Sequence, residues 1–303
     1  MQDYHQLPKL RDSLSYLYVE HAVLNQKDHA VEYICQDKGR VMIPVAVLSV
    51  LLLGPGTKIT HSAIHTLSDN GCLVLWVGED GMRFYAQGGG ETRRSGHFLH
   101  QAQMSCDPAL RLEVVRAMYQ KRFPDPLDAD LSLEQIRGME GARVRGIYYR
   151  VSQEYNVPWS GRNYQRGNWS QTNPVNRALS AANALLNGLC HTAIVSGGYS
   201  PALGFIHTGK QLSFVYDIAD LYKAEITIPL AFQTIAESSE KVETRVRAAC
   251  REKFRETKLL SRILPDIDSL LKIEADPDEN QIDYDEDGAM PAPLWDDSKK
   301  EEG

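Results

Sequence analysis

Imidazole nitrogen and carboxylate oxygen are side-chain ligands for Mg or Mn, and both occur in Gly204-Phe205-Ile206-His207-Thr208-Gly209-Lys210 with Asp217 and Asp220 downstream. Asp217 and Asp220 are three residues apart, so a helix from Ser213 that continues one turn past Ala219 points both the same way. The plainer alternative is a pair of surface aspartates, or Asp220 as a cap. Glu140 is a lone acid in a basic stretch, with Arg137, Arg143, Arg145 and Arg150 around it. Arg137 and Glu140, at i,i+3, also suit an ordinary surface ion pair. Gly138, Gly141 and Gly146 each weaken a helix by about 1 kcal/mol relative to Ala. Close approach of another helix or of a ligand backbone would explain them. A third stretch, Trp159 to Trp169, alternates aromatics with arginines and amides: Arg162, Tyr164, Arg166 and Trp169. Such a loop can clamp phosphates and stack bases, or simply fill a local core with its tryptophans.

Other patterns fail on inspection. Gly204 to Lys210 has the GxxxxGK spacing of a phosphate loop, but Gln211 stands where Ser or Thr would bind Mg. His61 and His65 lack the glutamate of HExxH, His97 and His100 have no acid or thiol nearby, and GxSxG is absent.

Positioning these residues needs a scaffold, and the sequence predicts a small β-rich region ahead of a larger helical one, an α+β fold. Strands are expected over Tyr16–Val23, Ala30–Ile34, Gly39–Ile43, within Val45–Leu53, over Leu73–Val77 and over Met82–Ala86, with Thr60 capping a helix over His61–Asp69. Gly88 to Gly96 is the boundary. Asp107-Pro108 opens a helix to about Phe123. Ser132 and Gln135 form a capping box for one that runs through Glu140 towards Tyr155. Asn173-Pro174 starts another, to about Cys190; Leu212 or Ser213 to Ala219 is a shorter one, and Val242–Leu264 reads as the last long helix. The expected organisation is 1–86 β-rich, 87–96 linker, 97–273 helical and catalytic, and 274–303 an acidic, disordered tail.

The chain has 303 residues, 43% of them hydrophobic and 24% charged, enough for a substantial core. Its net charge of -7 hides a split. Twelve acids and three lysines lie between Leu271 and Gly303, whereas Gln135–Val215 carries eight basic residues and two acidic ones. That local positive surface keeps DNA or RNA in play. Five scattered cysteines without CxxC argue against a disulfide framework or zinc knot and for a reducing cytosol. No continuous apolar run is long enough to span a membrane, so none is expected as a partner.

The ordered motifs carry a resemblance. They are Pro55-Gly56-Thr57, Leu75-Trp76-Val77-Gly78-Glu79, Arg137-Gly138-Met139-Glu140-Gly141, Asn173-Pro174-Val175-Asn176, Gly197 to Gly209, and Leu212 to Asp220. From about Leu7 to Leu270 the chain resembles the CRISPR-associated integrase and endonuclease of the adaptation stage, in its subtype I-E form. The resemblance implies Mg or Mn held by Glu140, His207 and Asp220, with Asp217 as an assisting acid. It implies attack of a prespacer 3'-OH on phosphodiesters at the repeat ends, without ATP, and an associated nuclease activity. It further implies a homodimer, two of which flank a dimer of a small ferredoxin-like partner in a 4:2 complex on double-stranded DNA, in a prokaryotic cytoplasm. Arg83, Arg137, Arg143, Arg162, Tyr164, Arg166, Trp169, Lys210, Arg247 and Arg251 are the expected DNA contacts. Asn187 departs from a close homologue's tyrosine. The competing readings are a metal-dependent nuclease of branched DNA and a non-catalytic DNA-binding scaffold.

Overall fold

The computed structural model describes residues 16–28, 30–35, 39–45, 48, 50–79, 84–88, 96–162 and 173–273. The chain divides into a unit over Met1–Ile273 and a second over Glu274–Gly303, and the second, with the acidic tail, lies outside the described residues. A β-rich region comes first and a larger helical region follows, as the sequence predicts.

One sheet has the order β1 (Tyr16–Val19), β5 (Val50–Leu53), β7 (Leu73–Val77), β8 (Phe84–Gly88). Its first three strands are parallel and β8 is antiparallel to β7. The other has the order β4 (Gly39–Ile43), β3 (Ala30–Cys35), β2 (Val23–Lys27), β6 (Lys58–Ile59). The strand expected over Tyr16–Val23 is therefore two strands in two sheets. His21 breaks it with φ 50°, and its N–H donates to the Pro55 carbonyl at 3.0 Å. The apolar β5 is covered on both faces, as near-continuous hydrophobic strands usually are. Leu51 and Leu53 pack with Ala63 and Leu67 of α1 (His61–Asp69), whereas Val50 joins Leu73, Leu75 and Val77 on a face that meets Val195.

The helical region comprises α2 (Gly96–Cys106), α3 (Pro108–Gln120), α4 (Leu133–Glu154), α5 (Pro174–Ser196), α6 (Ser213–Tyr222), a π-helical turn over Lys223–Thr227, α7 (Ile228–Glu237), α8 (Val242–Glu256) and α9 (Leu259–Leu271). The local start signals hold. Thr60, Asp107, Ser132 and Asn173 each accept from backbone N–H groups of the helix they open, and the Ser132–Gln135 capping box is complete. The helix expected over Val242–Leu264 is two helices, parted at Thr257-Lys258, where Lys258 takes φ 47°.

Among the described residues one helix, α5, is long and apolar enough to cross a membrane. Here it is the axis of the core. Leu179, Leu186 and Ile194 are fully buried, and α6, α7, α8 and α9 all pack on it. Its small side chains let these neighbours approach, and burying each large apolar side chain among them contributes about 1.5–3 kcal/mol.

Candidate active site

The site is assembled from α4, from α6, and from the loop between α5 and α6. Ends of that loop are fixed by α2 and α3. Gln101 is fully buried; its amide donates to the Ser200 and Leu203 carbonyls at 3.0 and 2.9 Å and accepts from the Ser200 N–H at 2.7 Å. Arg111 donates through Nε and Nη2 to the Phe205 carbonyl at 3.0 and 2.7 Å. Between these clamps, Gly204 is a position where only glycine fits. A Cβ there would lie 2.2 Å from the His207 carbonyl oxygen and 2.7 Å from Ser213 Cβ.

Asp217 is the anchor of this loop. It is 0% exposed, and its carboxylate accepts from the backbone N–H groups of Phe205, Ile206 and His207 at 2.6, 3.0 and 2.9 Å. It also meets His207 Nδ1 at 2.7 Å. With Nδ1 donating to a carboxylate, the lone pair of the neutral ring sits on Nε2, the arrangement that commonly orients a metal-ligating histidine. The bond to Asp217 raises the His207 pKa above the ordinary histidine value, against some desolvation. A proton on Nε2 therefore competes with a metal until the pH is higher than for a free imidazole.

Asp217 and Asp220 do not share a task. Three residues turn a helix through about 300°, enough to put Asp217 under the loop and Asp220 at the helix edge. Asp220 pairs with Lys223 and lies 4.0 Å from Arg122 Nη1. The same Arg122 nitrogen is 3.5 Å from Glu140, on α4. Glu140 is also gripped by Arg143, with Nε at 2.7 Å and Nη2 at 3.0 Å. The ion pairs of Glu140 are thus with Arg143 and Arg122, where sequence spacing suggested Arg137. Asp220 also acts on the His207 charge, which places the two side chains in one field. Glu140, His207 and Asp220 thus border one charged cluster, with Arg122 between the two carboxylates.

Two carboxylates and an imidazole nitrogen fit a hard divalent cation such as Mg or Mn. Among the described residues no three His, Cys, Asp or Glu side chains converge closely enough to hold one. Protein cations fill that role instead: Arg122 between Glu140 and Asp220, Arg143 on Glu140, and Lys223 on Asp220.

The other expected contacts are dispersed. Arg137 and Lys210 are exposed, and Arg143 is committed to Glu140 and to the face of Phe123 at 5.6 Å. Arg162 borders a groove of about 740 Å³ lined by Arg145, Tyr148, Tyr149 and Trp159, in which Tyr148 and Trp159 stack at 4.5 Å. Arg251 lies within electrostatic reach of Tyr18 in the first sheet, and the Arg247 Nε is buried with no hydrogen-bond partner among the described residues. Arg83, Tyr164, Arg166 and Trp169 lie outside the described residues. The glycines of α4 do not admit another helix of this chain. Gly138 and Gly146 face open space, and Gly141 meets only the tip of Arg145 at 3.4 Å. Sequence reasoning passed over Arg122, Lys223, Arg111 and Gln101. Lys223 was within reach as an i,i+3 partner of Asp220; Arg122 follows the end of α3 and belongs to no motif.

Known proteins provide an independent test. The family described as CRISPR associated protein Cas1 matches residues 119–251, which hold Glu140, His207, Asp217 and Asp220. A CRISPR-associated endonuclease Cas1 of Thermus thermophilus is 56% identical over 96% of this chain and 89% of its own length. One of Escherichia coli is 40% identical over 86% of each. The crystal structure of a TtCas1–DNA complex superposes with a TM-score of 0.79 at 57% identity, covering 88% of this chain and all of that one. With identity this high over nearly its whole length, the chain belongs to the Cas1 family of CRISPR-associated endonucleases.

Proposed function

We propose that the protein is a divalent-metal-dependent DNA integrase and endonuclease of CRISPR adaptation, working in the subtype I-E manner in a prokaryotic cytoplasm. The observation that carries the reading is the carboxylate–histidine pair: buried Asp217 fixes the His207 ring so that Nε2 is the ligating atom, within the electrostatic field of Asp220. Glu140, His207 Nε2 and Asp220 would hold Mg or Mn. The bound metal supplies Lewis-acid polarisation of a scissile phosphate and stabilises the charge that develops on its oxygens.

The chain's own residues account for the rest. A prespacer 3'-hydroxyl attacks phosphorus at a repeat end; a new P–O bond forms, the existing P–O3' bond breaks, and the proton passes from the attacking oxygen to the departing one by way of solvent. One phosphodiester replaces another, so no nucleotide is hydrolysed, in keeping with Gln211 where a phosphate loop would need Ser or Thr. Water in place of the 3'-hydroxyl gives the endonuclease reaction from the same geometry. Asp217 holds the histidine ring and the loop rather than touching DNA. Lys210, Arg137 and Arg162 are exposed cations suited to phosphates. The cognate assembly is a homodimer, with two dimers joined by a dimer of a small ferredoxin-like partner across double-stranded DNA. A TtCas1 relative has been crystallised with DNA, which supports the duplex as substrate.

A strand-transfer assay tests this. Purified chain with its small partner is given a labelled duplex with free 3'-hydroxyl ends and a supercoiled plasmid bearing its leader and repeat. Label joined to plasmid only with Mg or Mn, and abolished by His207→Ala with DNA binding kept, is the expected result. Cleavage of branched DNA without joining would favour a stand-alone nuclease. Joining that survives His207→Ala would overturn the site.

A further inference from the structure

Arg122 is the least accounted-for charge in the protein. Its side chain is only 5% exposed, and its Nε and Nη2 have no hydrogen-bond partner among the described residues. Burying a guanidinium with donors unused is costly, so its carboxylate partners must hold it there. Those contacts, 3.5 Å to Glu140 and 4.0 Å to Asp220, are long for hydrogen bonds and divided between two acids. A group optimised as one partner's ion pair would approach closer, as Arg143 does at 2.7 Å. The guanidinium instead lies against the Tyr119 ring, 5.2 Å from its centroid, where its flat face can shelter.

We infer that Arg122 is an internal cation that competes with the divalent metal for Glu140 and Asp220. Without metal it keeps two acids from repelling each other across the site. With metal, two positive charges cannot share that space, and the guanidinium withdraws towards Tyr119. The inference rests on the metal reading above and adds a residue that the metal must displace. Arg143 and Lys223 compete for one carboxylate each from the partly exposed side; Arg122 alone reaches both from within.

Manganese titration of the full chain without DNA, by calorimetry, tests this. Arg122→Met keeps length and loses charge. It binds Mn at least about tenfold tighter than wild type, as a like charge removed from a few ångströms requires. Its metal-free melting temperature falls, and its gain on adding Mn exceeds that of wild type. Arg122→Lys keeps the charge and stays near wild-type affinity. A folded Arg122→Met that binds Mn no tighter than wild type overturns the inference. If that variant does not fold, the wild type decides. With arginine Nε labelled for NMR, the resonance missing in Arg122→Lys shifts on titration with Mg, and an unmoved resonance overturns the inference. Glu140→Gln separates the two readings. Mn binding weakened there, beside an unchanged Arg122→Met, refutes the role of Arg122 alone, whereas unchanged binding in Glu140→Gln removes the metal site and this inference with it.

Discussion

Replacing Asp217 by Asn keeps the shape of the side chain and removes its charge. Four donors converge on the native carboxylate: three backbone N–H groups, at 2.6, 3.0 and 2.9 Å, and His207 Nδ1 at 2.7 Å. An amide oxygen accepts two of them at most, and the amide NH2 turns donors towards donors. At least two groups lose their acceptor, at about 1–3 kcal/mol each, so we expect a loss of about 4 kcal/mol. That is a large part of the 5–15 kcal/mol typical of a folded domain, so the variant should fold in the cold and melt early. Urea unfolding gives the number, with His207→Ala as the control. That change removes one of the four bonds at an exposed side chain and should cost about 1 kcal/mol. The pH dependence adds a signed test. His207 has a raised pKa in the folded state, so its bond to Asp217 contributes fully below the unfolded histidine value of about 6.5 and fades as pH rises through the folded value. The gap between wild type and Asp217→Asn should therefore narrow with rising pH to a plateau set by the backbone donors. A variant within about 1 kcal/mol of wild type, with unaltered Mn affinity, would refute the idea that Asp217 builds the loop.

Gly204→Ala should behave like a milder version of the same lesion, because its Cβ would sit 2.2 Å from the His207 carbonyl; strand transfer should fall more than DNA binding, and equal losses in both would count against a loop-specific effect. His191, buried on α5 with its ring 4.1 Å from Phe84, is kept neutral with its pKa pushed down to about 4 by desolvation. Between about pH 6.5 and 4 the unfolded chain takes the proton and the folded one does not, so stability should drop by about 3 kcal/mol over that window, and His191→Leu should flatten this limb of the urea-derived profile.

What the sequence made legible was local. Helix starts at Thr60, Asp107, Ser132 and Asn173 depend on a side chain reaching an N–H two or three residues on, so type and spacing suffice. Boundaries set by tertiary partners were less visible. Nothing in Tyr16–Lys27 shows that its halves pair in different sheets, and nothing in Thr257-Lys258 resembles the Gly or Pro that usually ends a helix. The same division runs through the site. His207, Asp217 and Asp220 stood out together because fourteen positions contain them all. Glu140 could be joined to them only by family resemblance, and Arg122 by neither route, because its meaning lies wholly in what packs around it. Spacing also misjudged the two aspartates, since a helix edge beside a loop turns one inward and leaves the other out.

The π-helical turn over Lys223–Thr227 has an evolutionary consequence. Its wider i+5 bonding absorbs a surplus residue between the segment that ends in Asp220 and the one that carries fully buried Phe232. Deleting any single residue there would wind the chain back to ordinary pitch and swing everything beyond it by about 100°. Phe232 would leave its place beside Tyr148 and Trp159, the pair at the mouth of the groove. Insertions and deletions within those five positions should be purged from descendants of this gene even where point substitutions are accepted, so lineage alignments would run gap-free across them.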